Sequence, residues 1–200
     1  MPKFVIEDTD VTTGPAQLQR NAFYRNVVPD DLNPLDLVAR KILAHKFSNL
    51  HDPQNSVRQA MRDVETVACV IAGKGTLLVS HNSSFGAHGG NNQEVELATA
   101  AAFKDLRARG FVNITDYHVL SPIRKLRRTF HAEMQILKAC SEHNREIQGG
   151  IIGVSKPCCG KCAKVLKAFR INFSLYSKSP IGDWVSPEID QIKITSKSAI

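Results

Sequence analysis

Two short fragments constrain this chain more than the rest of its sequence. His131-Ala132-Glu133 opens an apolar helical stretch, and Pro157-Cys158-Cys159-Gly160-Lys161-Cys162 closes an apolar strand-like one. Together they offer an imidazole, thiols and a carboxylate, the donors and proton carrier that a hydrolytic zinc site uses. A fold that employs both must return His131 to the cysteines.

Spacing sharpens the expectation. Cys159 and Cys162 are two residues apart, so at the first turn of a helix their sulfurs share one side and can bind one tetrahedral ion. His131 is the best candidate for a third ligand, because Glu133 lies on another azimuth of the same turn, near the metal without binding it. Three protein ligands leave a fourth position for water, whose pKa on zinc falls from about 15.7 to about 7. Pro157 stands two residues before Cys159, which leaves a second assignment open, with Cys158 and Cys162 as the sulfur pair. The two-residue gap favours Cys159 with Cys162.

A His-x-Glu segment followed by Pro-Cys-x-x-Cys resembles the cytidine deaminase-like zinc superfamily. More narrowly, HAEMQIL followed by GGIIGVSKPCCGKC is similar to deaminase domains of bacterial toxins and effectors and of some fungal proteins. The resemblance is specific over Phe130 to Lys164 and architectural elsewhere. It implies Zn2+ as cofactor, His131, Cys159 and Cys162 as its ligands, and Glu133 as general acid/base. Each fragment alone reads more blandly: His-x-Glu is common on helix surfaces, and Cys-x-x-Cys often marks a structural zinc or redox pair.

With 200 residues and 42% hydrophobic content, the chain can bury one sizeable core. The division expected is an N-terminal helical extension over 1–51 and a zinc deaminase domain over 52–200. Five cysteines, three of them bunched, argue against a disulfide framework and for a reducing compartment. Cys69 and Cys140 lie in apolar segments and read as core. The chain opens on no charged-then-apolar leader and contains no run approaching a membrane span. The expectation is a cytoplasmic protein, or one delivered into a target cell's cytosol without a cleavable signal.

Charge is uneven. Residues 1–100 carry a net −2 and residues 101–200 a net +9, giving the chain its +7. Arg124, Lys125, Arg127 and Arg128 precede His131, while Lys161, Lys164, Lys167 and Arg170 follow the cysteines. Cations this close to a reaction centre suit a polyanion. The bland alternative is a solvated basic face.

Along the chain, Asn33-Pro34 and Asp52-Pro53 each read as a cap followed by proline at the first helical position. Leu35, Val38, Ile42 and Leu43 form one helical stripe, and Val57, Ala60, Met61 and Val64 another. Val67 to Ala72 and Thr76 to Ser80 read as a hairpin around Gly73-Lys74-Gly75. Asn92 to Arg109 is a helix with Val95, Ala98, Ala102 and Leu106 on one face, stopped by Gly110. A helix over His131 to His143, a strand over Gly150 to Ser155 and a helix over Cys159 to Arg170 complete the superfamily's core order. The fold expected is a three-layer α/β/α sandwich around a mixed five-stranded sheet. Ile171 to Ser177 and Gln191 to Thr195 form its fourth and fifth strands. The segment between them has Pro180, Gly182 and Pro187 and no helical stripe, so those strands are expected to pair antiparallel. In the superfamily that pairing accompanies free-nucleotide cytidine deaminases and many toxin deaminases, which favours cytosine.

Asn82, after the hairpin, is expected against sugar or base, or in an Asx turn. Trp184 is placed to stack on a base or to anchor the core. Backbone near Ala132 and cations at Arg127 and Arg128 complete the expected substrate contacts. His81, His88 and His118 read as loop or surface residues, and 83–128 as a segment that shapes access or binds an inhibitor. The reading is a zinc-dependent hydrolytic deaminase converting cytosine to uracil in nucleic acid, DNA favoured, serving as a toxin or effector. Its expected partners are nucleic acid and an immunity or inhibitor protein, with no membrane. The alternatives are a free cytidine nucleoside or nucleotide deaminase, and a non-catalytic zinc-stabilised nucleic-acid-binding module.

Overall fold

The computed structural model describes residues 32–48, 66–82, 92–125, 128–174, 176–177 and 187–196. Its elements in chain order are α1 (Pro34–Ser48), β1 (Val67–Ala72), β2 (Thr76–His81), α2 (Asn92–Ala108), β3 (Asp116–Val119), β4 (Arg124–Lys125), β5 (Arg128–Thr129), α3 (Ala132–Glu142), β6 (Glu146–Gln148), β7 (Gly153–Val154), β8 (Cys158–Cys159), α4 (Gly160–Ala168), β9 (Tyr176–Ser177) and β10 (Lys193–Thr195). The expected second helix near 52–64 and the boundary at 51/52 lie outside the described residues.

β1 and β2 organise the rest. They pair antiparallel from Val67 opposite His81 to Ala72 opposite Thr76, and both are buried along almost their full length. Successive side chains leave a strand on opposite faces, so such a hairpin must feed two cores. Ala68, Val70, Ala72 and Leu78 pack with Met134, Ile136 and Leu137 of α3 and with Cys162 and Leu166 of α4. Val67, Cys69, Ile71, Leu77 and Val79 pack instead with Leu35, Val38 and Ile42 of α1 and Val95, Ala98, Ala102 and Leu106 of α2. The result is the expected layered α/β sandwich, with Cys69 and Cys140 in its cores.

The sheet runs β10-β6-β1-β2-β3, with β7 also paired to β1. β3 joins β2 parallel, Leu77 opposite Tyr117, so the 83–128 segment contributes an edge strand besides α2. α2 stops where expected, at Gly110, whose φ of 93° suits a residue without a Cβ.

Against expectation, among the described residues the last two strands do not pair antiparallel with each other. β10 pairs parallel with β6, Asn172 bridges parallel to Ile151, and β9 pairs parallel with β8. Residues 146–154 offer one free edge, and both segments take part of it. Gly149 N donates to Thr195 O at 2.9 Å, and Ile152 N to Asn172 O at 3.0 Å. The two segments lie end to end along that edge instead of side by side, so strand pairing does not select cytosine. Gly149 and Gly150, at φ 66° and 59°, interrupt the strand expected over Gly150 to Ser155.

α1 is locked to the strand that leads into the cysteines. Asn33 Oδ1 accepts from Asp36 N and Asp36 Oδ2 from Asn33 N, each at 3.0 Å, a reciprocal capping box with Pro34 at the first helical position. Asp36 Oδ1 also accepts from Val154 N at 2.7 Å, and the Ser174 hydroxyl donates to Asp36 Oδ2. Burial raises the Asp36 pKa, against the lowering effect of these donors. Gly153 lets the layers meet, since a Cβ there would land on the Leu35 backbone. Asp36→Ala should lower stability by about 2–4 kcal/mol by taking the acceptor from Val154 N and the Ser174 hydroxyl, while Asn33 N keeps Ser174 Oγ, read as the urea midpoint. Gly153→Ala should abolish the cooperative unfolding transition, because backbone cannot yield as a flexible side chain does.

Candidate metal centre

His131 sits at the N-cap of α3 with φ −59° and ψ 148°, and its side chain makes no capping bond. The imidazole is therefore not spent on the helix. Two buried polar side chains hold this helix start. Ser80 Oγ of β2 donates to Ala132 O at 2.5 Å. Gln135 Nε2 donates to His81 O and to Phe130 O, both at 2.8 Å, while its Oε1 accepts from Ile123 N at 3.2 Å. The first two turns of α3 are buried nearly all round, Glu133 and Gln135 included.

Cys159 occupies the N-cap of α4, and its sulfur accepts from Cys162 N at 3.3 Å. That is an N-cap bond made by sulfur, at a helix end whose exposed amides favour negative charge. Two helix N-termini thus meet. His131 Nδ1 lies 3.5 Å from Cys159 Sγ and 3.4 Å from Cys162 Sγ. With Zn–S near 2.3 Å and Zn–N near 2.0–2.1 Å, a tetrahedral ion sets sulfur and nitrogen about 3.5 Å apart. The donor atoms of all three residues lie within 4.8 Å of one another, so His131, Cys159 and Cys162 can hold a metal ion. One imidazole and two sulfurs suit zinc.

Protonation follows the geometry. The hydrogen bond from Cys162 lowers the Cys159 pKa far below a thiol's ordinary value, against burial, with His131 adding to the effect. Burial works to lower the His131 pKa, but the Cys159 hydrogen bond and the Glu133 charge outweigh it and raise it. The lowered Cys159 pKa favours the deprotonated sulfur that a metal ligand requires. Burial raises the Glu133 pKa. Cys158 is buried and lies outside the donor cluster. Of the two cysteine pairs open from sequence, the structure brings the favoured one, Cys159 with Cys162, to the imidazole.

Asn82 follows a strand end tied directly to α3 through His81. Its side-chain oxygen accepts from Thr66 N at 2.6 Å, and its N donates to Thr66 O at 3.2 Å, so it closes the hairpin across strands instead of making an Asx turn. Arg128 lies in β5, opposite Lys125. Arg127, Trp184 and His88 lie outside the described residues. His118 is an exposed strand residue, but His81, expected in a loop or on the surface, is buried at the end of β2, where Gln135 of α3 donates to its carbonyl. Ser80, Gln135 and Asp36 escaped sequence reasoning. A polar residue inside an otherwise apolar stripe is the signal that could have marked the first two.

Residues 130–188 match the family model described as an OTT_1508_deam-like deaminase. This segment is deaminase-like. No curated protein and no solved structure matches the chain. The deaminase-like segment contains the three candidate ligands and Glu133, whereas α1, the β1–β2 hairpin and α2 lie outside it. Among the described residues no helix is long and apolar enough to cross a membrane.

Metal content separates the three neighbouring cysteines. Cys159→Ala and Cys162→Ala should each fall from one zinc per chain to a small fraction of it after dialysis. Cys158→Ala should retain its zinc, as read by elemental analysis.

Proposed function

We propose that this chain is a zinc-dependent hydrolytic deaminase acting on a nucleobase within nucleic acid, with cytosine to uracil in DNA as the first reaction to test. The observation that carries the reading is the placement of Glu133. A buried carboxylate follows the candidate ligand His131 by two residues, inside the segment that matches a deaminase family, yet stays outside the donor cluster.

His131, Cys159 and Cys162 would hold the ion. Bound there, zinc supplies a Lewis acid that makes water a nucleophile near neutral pH. Glu133 takes the proton that water gives up on attack at C4 and delivers it to the ring nitrogen N3; it then takes the proton of the new C4 hydroxyl and passes it to the amine, so that the C4–N bond breaks, ammonia leaves and the C4 carbonyl forms. Its burial, which raises its pKa, suits a group that must both accept and donate. The Ala132 amide and Asn82 are the proposed contacts to base and sugar.

Support for a polymer comes from charge. The basic β4–β5 hairpin immediately precedes Phe130 and His131, and Lys161, Lys164, Lys167 and Arg170 are exposed on and just after α4. Phosphates held there would fix the strand, while the base itself must leave its stack to reach a buried carboxylate. A role as a toxin or effector, with an immunity or inhibitor protein as partner, belongs to the same proposal and rests on the likeness of the HAE and GVSK-x-CC-x-x-C segments to such domains.

The test is a deamination panel of single-stranded DNA, double-stranded DNA, RNA and free cytidine nucleotides at two salt concentrations, with uracil read by mass spectrometry. Uracil should form in a polymer and fall steeply with salt, and Glu133→Ala should lose about 10²- to 10⁴-fold while keeping its zinc. Uracil from mononucleotides alone, insensitive to salt, would move the substrate to free nucleotides. Full activity in Glu133→Ala would end the mechanism.

A further inference from the structure

We propose that Gln135 and Ser80 are positioning residues for His131: they pin the backbone on either side of it and so set how tightly the centre holds its metal. The inference rests on the zinc reading of the site, and not on the reaction carried out there.

The helix start creates the need for them. An N-cap residue ordinarily fixes its own backbone through a side-chain bond to the helix amides, but His131 makes none. Its imidazole faces the sulfurs instead, with Nδ1 3.5 Å from Cys159 Sγ and 3.4 Å from Cys162 Sγ. Both neighbouring residues are held from outside. Before His131, Gln135 Nε2 donates to Phe130 O at 2.8 Å; after it, Ser80 Oγ donates to Ala132 O at 2.5 Å. Helices often pack an apolar residue just before the cap against the fourth helical residue. Here those two positions are Phe130 and Gln135, and a hydrogen bond joins them.

Both bonds lead back to the end of β2. Ser80 lies in that strand, and Gln135 Nε2 also donates to the carbonyl of the next residue, His81, at 2.8 Å. β2 is paired on both sides, with β1 and with β3, so it gives α3 a fixed reference. Gln135 Oε1 adds a third tie by accepting from Ile123 N at 3.2 Å, and Ile123 O in turn accepts from Phe130 N at 3.1 Å. Ser80 and Gln135 are fully buried, so water cannot take over the bonds when either side chain is removed. The sulfurs are placed separately, through a strand whose Val154 N donates to Asp36 and whose Ser155 Oγ accepts from Val67 N at 2.9 Å. Zinc–ligand distances tolerate only about ±0.2 Å. Slack on the His131 side alone is therefore felt as lost metal affinity, while the sulfur half stays built.

The experiment measures zinc affinity of the full chain by competition with a chromophoric chelator, and the visible absorption of the protein loaded with cobalt(II), in wild type, Gln135→Met, Ser80→Ala and Leu106→Ala. Methionine keeps the length of Gln135 without its amide. Leu106→Ala opens the core on the opposite face of the sheet and controls for a general loss of stability. Gln135→Met should bind zinc about 10- to 100-fold more weakly, and Ser80→Ala about tenfold, each with an altered cobalt band. Leu106→Ala should keep the wild-type affinity and band although its melting temperature falls at least as far. If Gln135→Met does not fold, Ser80→Ala decides by the same two readings. Wild-type affinity in either variant, or an equal loss in Leu106→Ala, would overturn the proposal. A wild type that binds no zinc would end the zinc reading and this inference together. Neither measurement uses a substrate, so failure of the deaminase reading alone leaves the test intact.

Discussion

The centre depends on a sulfur at a helix start. Cys159 accepts the amide of Cys162 as the N-cap of α4, and the same sulfur faces the His131 imidazole. One interaction thereby does three things. It begins the helix that carries Cys162, turns both sulfurs to one side, and stabilises the negative charge that a metal ligand must carry. His131 occupies the same position on α3 without using its side chain as a cap. One cap position supports its helix and the other is left available to the site.

Such a junction holds only if the helix starts are anchored from behind, and each has its own anchor. The α3 start is held by Ser80 and Gln135, which tie Ala132, Phe130 and Ile123 to the end of β2. The strand entering the cysteine segment is held by Asp36 from the opposite layer. Because β1 and β2 pack on both faces, movement in one helical layer is resisted through the sheet by the other. Polar side chains buried in this way are costly unless satisfied, and here they accept or donate to backbone that loops would otherwise leave unpaired.

Legibility varied with the range of the interaction. The Asn33-Pro34 start of α1, the β1–β2 hairpin, α2 and its Gly110 stop could all be read locally, since capping residues, alternation and turn glycines act within a few positions. The C-terminal edge could not. Segments 171–177 and 193–195 are short and carry little pattern, and their partner is settled by which backbone groups of 146–154 remain open. Gln135 was hidden for a related reason: its value lies in three backbone partners on separate segments, none of them implied by its neighbours in sequence. Cys158 was visible only as an ambiguity in cysteine spacing.

The sequence by itself determined the chemistry available: one imidazole, a sulfur pair at two-residue spacing, and a carboxylate two positions past the histidine. Residue type and helical spacing dictate which groups can share an ion. Only the tertiary structure decided which cysteines meet His131, because Cys158 and Cys159, as neighbours on an extended backbone, must face opposite ways. Cys159 turns to the imidazole and Cys158 into the core, outside the donor cluster. That division follows from two helices converging on one point, a fact of packing that no spacing along the chain contains.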